Sequence, residues 1–525
     1  MSYTKAPVND THNTIRIPIR GTPIVVSEAR TNNANFTTLS YIDCFPKTEK
    51  QWGIDPVRRA HKREGWASVT VGTITTSPTT FSRSVVFCED IDNAYAALNT
   101  GIYKIGDIYS TPTVTIEQAE VTGLTGCSGT LAVNNSNVNK VCFLSSAGYL
   151  HTWDQDGANN TTTNLSALLV DGGYGLVFLN GYLFAVATNG RIYNSSVGGN
   201  LTTWNSTDYL TPELFPDFCK HIDKHKNHLV AFSANSTEFF YDGGVEVGSP
   251  LARQESYASN IGLYDTGNTG AKVARIGDDL YFIGRSQAEQ LSLYRIRNFQ
   301  VEEIPNQFID NVLNWNSTNA QVIQGIQTVI INNEPMISIA ASRSYEIIYY
   351  PAEDSWWTLR TNADAGRSLP SVNTDFPGFE TRVWGSTSPT IANSLSNPNR
   401  RRTTFNLSYT GTLYVNKPST TSVQAELYTE VVDFGINFYK HIARVDAVGD
   451  FGNNVLSLLY NPTPKYDQPY VQCLPNRTPS TTGFGYNASW YNLGGHRRFS
   501  LKLVMTGTQT AMVTGFDVTY NVGAT

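Results

Sequence analysis

A strand–turn–strand pattern recurs along much of this chain and constrains its fold more than any other feature. The two clearest copies lie within residues 174–244. The first copy turns at Asn189-Gly190 and the second at Asn235-Ser236, each between two apolar runs. Asparagine and glycine favour the positive φ angles of a two-residue hairpin, and the flanking aromatic and β-branched residues suit a half-buried pleated surface. Each copy is therefore predicted to be a β-hairpin.

The same unit returns at a nearly constant spacing. Six copies are marked by Gly101, Gly148, Gly190, Ser236 and the ranges 278–296 and 336–350. The first four markers lie about 42 to 47 residues apart, a period typical of β-propeller blades. A weaker seventh copy spans residues 381–393. We therefore predict an all-β fold with a β-propeller of six to eight blades at residues 66–399.

The pattern changes on both sides of the repeats. Residues 1–65 are interpreted as an extended arm, in which Pro18 favours an edge position or a crossing between subunits. Longer alternating segments follow Arg400 and predict a C-terminal β-sandwich or barrel-like domain at residues 400–525, to which the arm adds a strand. Its strands are predicted at residues 412–415, 423–432, 442–448, 455–460, 499–505 and 513–520.

Composition narrows the function classes. Only 16% of the residues are charged, against roughly 25% in average soluble domains, so we expect a turn-rich chain or one largely covered by neighbours. The net charge of -6 argues against binding to nucleic acid through phosphate contacts. The N-terminus is polar and no apolar run is long enough for a membrane span, so neither a signal peptide nor membrane insertion is expected.

Six cysteines and one basic run complete the unusual features of the composition. The cysteines lack the spacing of a metal or redox motif, so they are predicted to be free thiols in a reducing cytoplasm. They are Cys44, Cys88, Cys127, Cys142, Cys219 and Cys473. The basic run at residues 58–63 stands nearly alone in an acidic chain. We interpret it as a solvated or subunit-contacting loop rather than a phosphate-binding site.

The densest set of metal-ligand side chains comprises His221, Asp223, His225 and His228. On a strand entering a hairpin, His221 and His225 share one face, and His228 is expected to point to the opposite face. A surface or interface cluster is the favoured interpretation. His221, Asp223 and His225 are kept as a weak metal candidate.

No residue set for catalysis stands out, so the chain is not expected to be an enzyme or to need a cofactor. The turn at residues 196–204 resembles the Ser-x-Asp-x-Gly-x-x-Trp box of sialidases, but the aspartate is absent and the spacing differs. Glycoside hydrolysis needs two carboxylates about one bond. The pairs available are Glu302-Glu303, Glu353-Asp354 and Glu426 with Glu430, and nothing in the sequence brings any pair to a common site.

Several segments nevertheless carry a family resemblance. They are residues 238–244, 261–263 and 274–285 within the repeats, and residues 432–445, 498–503 and 514–520 beyond them. In these segments the chain resembles the tail nozzle proteins of short-tailed bacteriophages, also called packaged-DNA stabilisation proteins. The motifs concern packing and turns, so they name no catalytic or channel-lining residue.

The resemblance implies a structural role in the virion tail. Such proteins are propellers with an added β-domain, assembled in the host cytoplasm into a homohexameric ring below the tail adaptor ring. The ring forms the distal DNA channel, retains the packaged double-stranded genome and allows its ejection, and tail fibres or a needle are further expected partners. Two alternatives remain open. One is a receptor- or glycan-binding propeller on the virion surface, with or without glycan hydrolysis, and the other is an intracellular scaffold propeller with one apolar face patch.

Overall fold

The chain is built almost wholly of short β-strands. The computed structural model describes residues 13–20, 25–27, 37–39, 41–49, 56–63, 65–73, 84–88, 93–98, 101–106, 113–118, 128–169, 175–196, 200–244, 248–264, 272–285, 290–306, 309–311, 313–314, 326–332, 334–339, 345–360, 381–383, 404–407, 412–419, 422–432, 439–462, 470–478 and 487–522. Within these residues no helix is both long and apolar enough to cross a membrane.

The first half of the chain holds strands β1 (Asn13–Pro18), β2 (Val25–Ser27), β3 (Thr37–Leu39), β4 (Tyr41–Ile42), β5 (Cys44–Glu49), β6 (Val57–Lys62), β7 (Gly65–Thr73), β8 (Ser84–Cys88), β9 (Asn93–Leu98), β10 (Gly101–Gly106), β11 (Thr113–Gln118), β12 (Ser128–Val133), β13 (Asn139–Leu144), β14 (Tyr149–Asp154), β15 (Thr161–Asn164), β16 (Leu176–Leu179), β17 (Tyr182–Val186), β18 (Ile192–Ser195), β19 (Trp204–Leu210), β20 (Cys219–His225), β21 (His228–Ser233), β22 (Thr237–Asp242) and β23 (Leu251–Arg253). A short helix, α1 (Ser166–Leu169), follows β15, and a 3-10 turn (Glu255–Tyr257) follows β23.

The second half holds β24 (Gly262–Leu263), β25 (Val273–Ile276), β26 (Asp279–Arg285), β27 (Leu291–Arg297), β28 (Gln300–Ile304), β29 (Ile326–Ile331), β30 (Glu334–Ile339), β31 (Tyr345–Tyr350), β32 (Ser355–Arg360), β33 (Thr381–Val383), β34 (Thr404–Leu407), β35 (Thr412–Ser419), β36 (Val423–Tyr428), β37 (Lys440–Asp450), β38 (Val455–Asn461), β39 (Val471–Arg477), β40 (Asn487–His496), β41 (Ser500–Gly507) and β42 (Met512–Val522). Residues 309–311 and 313–314 are helical.

The chain divides into two compact units. Unit 1 comprises Met1–Ala67, Ser344–Val372 and Ser419–Thr525, and unit 2 comprises Ser68–Arg343 and Asn373–Pro418. The domain limits predicted at 65/66 and 399/400 stay predictions, and the second of them lies outside the described residues.

Unit 2 is a series of antiparallel sheets in sequence order. Five sheets, here called blades 1 to 5, are formed by β8–β11, β12–β15, β16–β19, β20–β23 and β24–β28. The first strands β8, β12, β16 and β20 contact one another in succession, as the inner strands of a propeller do. The β29–β30 hairpin follows, and the sheet β33-β34-β35-β7 joins late strands to an early one. The described part of unit 2 thus confirms the predicted propeller class.

The core of unit 2 lies between consecutive blades. Cys88 and Tyr95 of blade 1 pack with Phe143 and Trp153 of blade 2 in one such cluster, and all four side chains are buried. Similar clusters lie between blades 2 and 3, blades 3 and 4, and blades 4 and 5. Each blade therefore buries its apolar faces only against its neighbours, as the repeat pattern requires.

The turn predicted at Asn189-Gly190 differs in type from the prediction. Only Gly190 has a positive φ, of 78°, and the Ala187 amide donates to the Arg191 carbonyl across a longer turn. The two-residue turn with two positive φ angles lies one hairpin earlier, at Asn180 (50°) and Gly181 (85°). Both sites carry Asn-Gly, so the dipeptide by itself does not determine which turn forms.

Unit 1 contains two large sheets. One has the order β40-β37-β42-β6-β5 with β1 added to β42, and the other includes β31-β32-β4-β36-β41-β38-β39. Alternate residues of the long strands are buried, including Val445, Trp490, Leu503 and Phe516, which agrees with the predicted sandwich or barrel-like class. The strands β39 and β40 were not predicted, because prolines, glycines and asparagines obscure their alternation.

The basic run lies in a strand rather than in the solvated loop that the sequence suggested, and its contact with another subunit stays a prediction. It forms β6, and the ammonium of Lys62, which is 1% exposed, donates to Asn454 Oδ1 at 2.7 Å and to the Gly507 carbonyl at 2.7 Å. Arg63 forms a buried ion pair with Asp43, with Nε and Oδ1 2.7 Å apart. Fixed acceptors inside unit 1 hold these charges, and a single sequence does not reveal such acceptors.

The cysteines in the described residues are free and buried: Cys44, Cys88, Cys142, Cys219 and Cys473. Burial raises the pKa of the Cys142 and Cys219 thiols to about 12. The five are free thiols, as predicted, and these two act as small apolar side chains, while Cys127 lies outside the described residues.

Candidate functional site

The histidine cluster lies on the first hairpin of blade 4. His221, Asp223 and His225 occupy one face of β20, and the two-residue turn places His228 directly opposite His225. Residues directly opposite in an antiparallel pair share a sheet face, so the prediction that His228 points to the other face is wrong. The alternation of side chains between the two faces of a strand does not continue through a hairpin turn. The turn therefore places His228 on the same face as His225.

Both ring nitrogens of His225 are engaged. Nδ1 lies 2.6 Å from the Asp278 carbonyl and Nε2 lies 3.3 Å from the Phe299 amide nitrogen. The amide can only donate, so Nε2 accepts and the proton sits on Nδ1. Burial, the largest influence, lowers the pKa of His225, which favours this neutral tautomer. No lone pair of His225 is left for a metal ion.

Asp223, the carboxylate of the weak metal candidate, is also engaged. It accepts a hydrogen bond from Arg275 of β25, which is 6% exposed, and the same guanidinium nitrogen donates to the Lys224 carbonyl. The Arg275 carbonyl in turn accepts from Thr328 Oγ1 of β29 at 2.6 Å. No three His, Cys, Asp or Glu side chains among the described residues converge on a metal position. The cluster is a polar link between the inner strands of blades 4 and 5.

Phe299 joins the same two blades with its ring. Its centroid lies 4.9 Å from that of His225, 4.6 Å from that of His228 and 4.7 Å from that of Tyr257, whose ring stacks on it at 8°. The Lys226 ammonium lies 5.3 Å from the ring centroid. We call His225, His228, Tyr257 and Phe299 the aromatic clamp. Offset and edge contacts of this kind each stabilise by about 1 kcal/mol beyond area burial.

The backbone of Phe299 is unusual for its side chain. Asn298 and Phe299 form the turn between β27 and β28 with φ angles of 49° and 65°. Asparagine adopts this left-handed region readily, whereas a bulky residue there costs about 1 to 2 kcal/mol. Sequence reasoning missed Phe299. The one signal in the sequence was Asn298, because asparagine favours a left-handed turn and this one lies between two alternating segments.

The carboxylate pairs considered for glycoside hydrolysis are each tied to structural partners. Glu302 pairs with Arg295 across the β27–β28 hairpin, and Glu353 accepts from the Thr48 amide and hydroxyl at 2.7 Å each. Glu426 pairs with Lys502 at 2.8 Å, and Glu430 pairs with Arg20 at 2.7 Å. Each of these contacts lies within one unit.

One carboxyl pairing was not predicted. The Ser292 hydroxyl lies 2.8 Å from Glu303 Oε1 and 2.7 Å from Asp310 Oδ1, so it bridges β28 to the helical residues that follow. Burial, the largest influence, raises the pKa of Asp310; the hydrogen bond from Ser292 opposes this, and the nearby charge of Glu303 adds to it. Asn314 adds to the link by accepting from the Leu291 amide at 3.1 Å. The arrangement fastens this segment to blade 5.

The turn that resembles a sialidase box joins two strands of blade 3. The Ser196 amide donates to the Thr203 carbonyl at 2.8 Å, and the Trp204 indole donates to the Leu201 carbonyl at 2.9 Å. Its tryptophan therefore closes the turn and is not aimed at a ligand, while residues 197–199 lie outside the described residues.

Charge is divided unequally between the two units. Unit 1 contains 19 Lys and Arg against 17 Asp and Glu, whereas unit 2 contains 19 against 27. The acidic balance of the whole chain therefore resides in the propeller. Among the described residues of unit 2, the polar side chains above connect neighbouring blades.

Comparison with known proteins places these features in context. A family model of phage stabilisation proteins, described as bacteriophage P22 Gp10, beta-propeller, matches residues 58–353, more than half of the chain. No curated protein matches. The solved structure "YCF48 bound to D1 peptide" is 10% identical over 68% of this chain and 97% of its own, with a TM-score of 0.39. YCF48 from Cyanidioschyzon merolae is 10% identical over 67% of this chain and 99% of its own, with a TM-score of 0.38.

Proposed function

Because this chain belongs to the phage stabilisation family typified by bacteriophage P22 Gp10, we propose that it forms the nozzle ring of a phage tail. Membership makes it a structural protein of the phage virion. The finer proposal is a homohexameric ring, assembled in the host cytoplasm and bound below the tail adaptor ring. This ring forms the distal DNA channel, retains the packaged genome and allows its ejection, and it contacts tail fibres or a needle.

The family match over the propeller carries this proposal. It spans residues 58–353, which include all five blades and the β29–β30 hairpin, so the matched region is the body of unit 2. Inter-blade packing of buried aromatic and aliphatic side chains makes this body rigid. A rigid unit suits a ring that must withstand the pressure of a packaged genome.

The charge balance of unit 2 supports a conduit. DNA binds proteins tightly when cationic side chains neutralise phosphates and release counterions. An excess of Asp and Glu over Lys and Arg in unit 2 disfavours such binding and lets DNA pass without being held by the propeller. The glycan-hydrolysing alternative finds no comparable support, because the carboxylates named for it are bound to their own structural partners.

The test is genome retention in particles assembled without this protein. Capsids that package DNA in its absence should lose their DNA after packaging, and purified protein added before the end of packaging should restore retention. Particles without the protein that keep their genome and infect normally would contradict the proposal. The measurement is the DNA content of purified particles.

A further inference from the structure

One face of a sheet in unit 1 carries exposed tyrosines beside arginines. The sheet places β40, β37, β42 and β1 side by side. Trp490 and Val445 lie directly opposite each other and are buried, so Tyr491 and Arg444, the next directly opposite pair, lie on the outer face. The Tyr491 side chain is 54% exposed, and the Arg444 guanidinium carbon lies 5.7 Å from its ring centroid. An exposed aromatic ring and a cation therefore stand side by side on this face.

A second pair of the same kind lies further along the same two strands. Tyr439, just before β37, is 59% exposed, and the guanidinium carbon of Arg497, just after β40, lies 5.0 Å from its ring centroid. His441 and Gly495, which are exposed and directly opposite each other, separate the two pairs. Arg444 follows Tyr439 by five residues, so the pairs are about 15 Å apart. We call Tyr439, Arg444, Tyr491 and Arg497 the Tyr–Arg strip.

Arg444 is held by one edge of its guanidinium. Its Nε donates to Asp446 Oδ1 at 2.7 Å, and its Nη2 donates to Ser489 Oγ at 3.3 Å. The Ser489 hydroxyl donates to the same carboxylate oxygen at 2.5 Å. Among the described residues Nη1 has no hydrogen-bond partner, and the side chain is partly exposed. The other edge of this fixed guanidinium therefore offers solvent the fork of N–H groups that matches a carboxylate.

The charges beside the strip favour an anionic ligand. Asp446 is neutralised by Arg444, and the neighbouring Asp517 is neutralised by Arg16, whose Nη1 lies 2.9 and 3.0 Å from its two oxygens. Arg497 and the adjoining Arg498 are both exposed. They leave an excess of positive charge at the Tyr439 end of the strip.

The surroundings of the strip suit a sugar chain better than a protein partner. On the same face Thr14 and Thr519 lie in the row of Arg444, and Asn487 lies opposite Val448 on β40. Their hydroxyl and amide groups are the kind that bond sugar hydroxyls. A protein interface of standard size instead has an apolar core, about 800 Å² per partner in all.

From these observations we propose that the Tyr–Arg strip binds an acidic glycan, a sugar chain that contains hexuronic acids. The C–H groups on one face of a pyranose ring contact the electron-rich face of Tyr491, and the carboxylate of that sugar accepts two hydrogen bonds from the free edge of Arg444. Tyr439 and Arg497 receive a second acidic sugar a few units along the chain. This binding site lies wholly in unit 1, so the proposal does not rest on the ring of the proposed function.

The test is isothermal titration calorimetry of the purified protein with tetramers of galacturonic, glucuronic and mannuronic acid. At least one tetramer should bind, and its methyl ester, which lacks the negative charge, should bind about tenfold more weakly. Tyr491→Ala should weaken binding about tenfold because the ring is lost. Arg444→Lys keeps the charge but removes the fork, and it should have an effect of similar size. Tyr241→Ala is the matched control, since it removes an exposed ring from unit 2, and it should bind as the wild type does.

The second pair is tested by chain length. A dimer of the same acid is too short to reach both pairs. Tyr439→Ala should therefore weaken the tetramer and leave the dimer unaffected, whereas Tyr491→Ala should weaken both. Equal effects of Tyr439→Ala on the dimer and the tetramer would contradict a sugar chain that spans the strip.

Three results would overturn the proposal. The first is that none of the acidic tetramers binds at millimolar concentration, and the second is that Tyr491→Ala and Arg444→Lys both bind as the wild type does. The third is that polyglutamate binds as tightly as the best tetramer and is weakened by the same variants, which would make the strip a site for an acidic polypeptide. Both replaced side chains are exposed, so the variants should fold, and their unfolding midpoints verify this. None of these results bears on the nozzle function.

Discussion

Phe299 illustrates how much of this fold rests on single side chains between blades. Its left-handed backbone is unfavourable, yet it places the ring against two histidines and a tyrosine of the neighbouring blade. The stacking must outweigh the backbone cost for this turn to persist. Its amide also fixes the tautomer of His225, so one residue joins the aromatic clamp and the polar link.

Phe299→Ala should destabilise unit 2 by about 2 kcal/mol, because ring contacts across blades 4 and 5 are lost while the left-handed backbone remains. The measurement is the midpoint of chemical unfolding followed by tryptophan fluorescence. Phe218→Ala is the matched control, since that ring is 59% exposed, and its loss should cost less than about 1 kcal/mol. Equal effects of the two substitutions would contradict the role given to the aromatic clamp.

His151 should make the protein sensitive to acid. It is 4% exposed, its Nδ1 lies 3.0 Å from Thr162 Oγ1, and its Nε2 has no hydrogen-bond partner among the described residues. Burial lowers its pKa to about 4, whereas an unfolded chain titrates near 6.5. The unfolded state therefore binds the proton more tightly, and stability present above about pH 6.5 is lost as the pH falls towards 4, by on the order of 3 kcal/mol.

His151→Gln should remove most of this acid-dependent loss, and the pH dependence of unfolding free energy between pH 4 and 7 is the measurement. Burial also lowers the pKa of His225 and His228, so a smaller slope of the same sign should remain. The control is His441→Gln, because the His441 side chain is exposed and belongs to unit 1. If His151→Gln and the wild type show the same pH profile, the buried neutral histidine does not cause the loss of stability in acid.

Strands and blades were largely predictable from the sequence, but the side-chain partners of buried charged residues were not. Alternation and turn residues located the hairpins of blades 3 and 4 because a half-buried sheet imposes a period of two. The same alternation placed His228 on the wrong face, because the turn sets the register across a hairpin. Lys62, Arg63 and Asp223 looked like surface or ligand residues, since the groups that satisfy them lie 20 to hundreds of residues away. Pairings over such separations leave no local periodic signal.

The Arg275–Asp223 pair tests how tightly the inner strands of blades 4 and 5 are coupled. Arg275→Met alone should destabilise by about 3 to 5 kcal/mol, because it leaves a largely buried carboxylate without its partner. Adding Asp223→Leu should recover most of that loss, since two apolar side chains of similar volume replace the ion pair. The measurement is a double-mutant cycle from urea unfolding.

The control for this cycle is Arg297→Met. Arg297 forms an ion pair with Asp279 but is 43% exposed, so its loss should cost less than about 1 kcal/mol. Strictly additive effects of Arg275→Met and Asp223→Leu would show that the two inner strands are not coupled through this pair.

For the molecule as a whole, the family match, the propeller and the charge division all favour a structural role in the virion. The low charge of the chain suits surfaces covered by neighbouring subunits, as in a head-to-tail ring closed by rotation. The proposed assembly in the host cytoplasm agrees with the five buried free thiols of the described residues. The proposed nozzle function therefore requires a ring, and the alternative propeller functions predict other oligomeric states.

The mass of the purified protein, alone and mixed with tail adaptor rings, tests this claim most directly. Light scattering should give six times 57.9 kDa for the protein alone, or that amount in addition to the mass of the adaptor ring in the mixture, and microscopy of that sample should show a closed ring. A mass of 57.9 kDa in both samples, with no binding to the adaptor, would contradict the nozzle function.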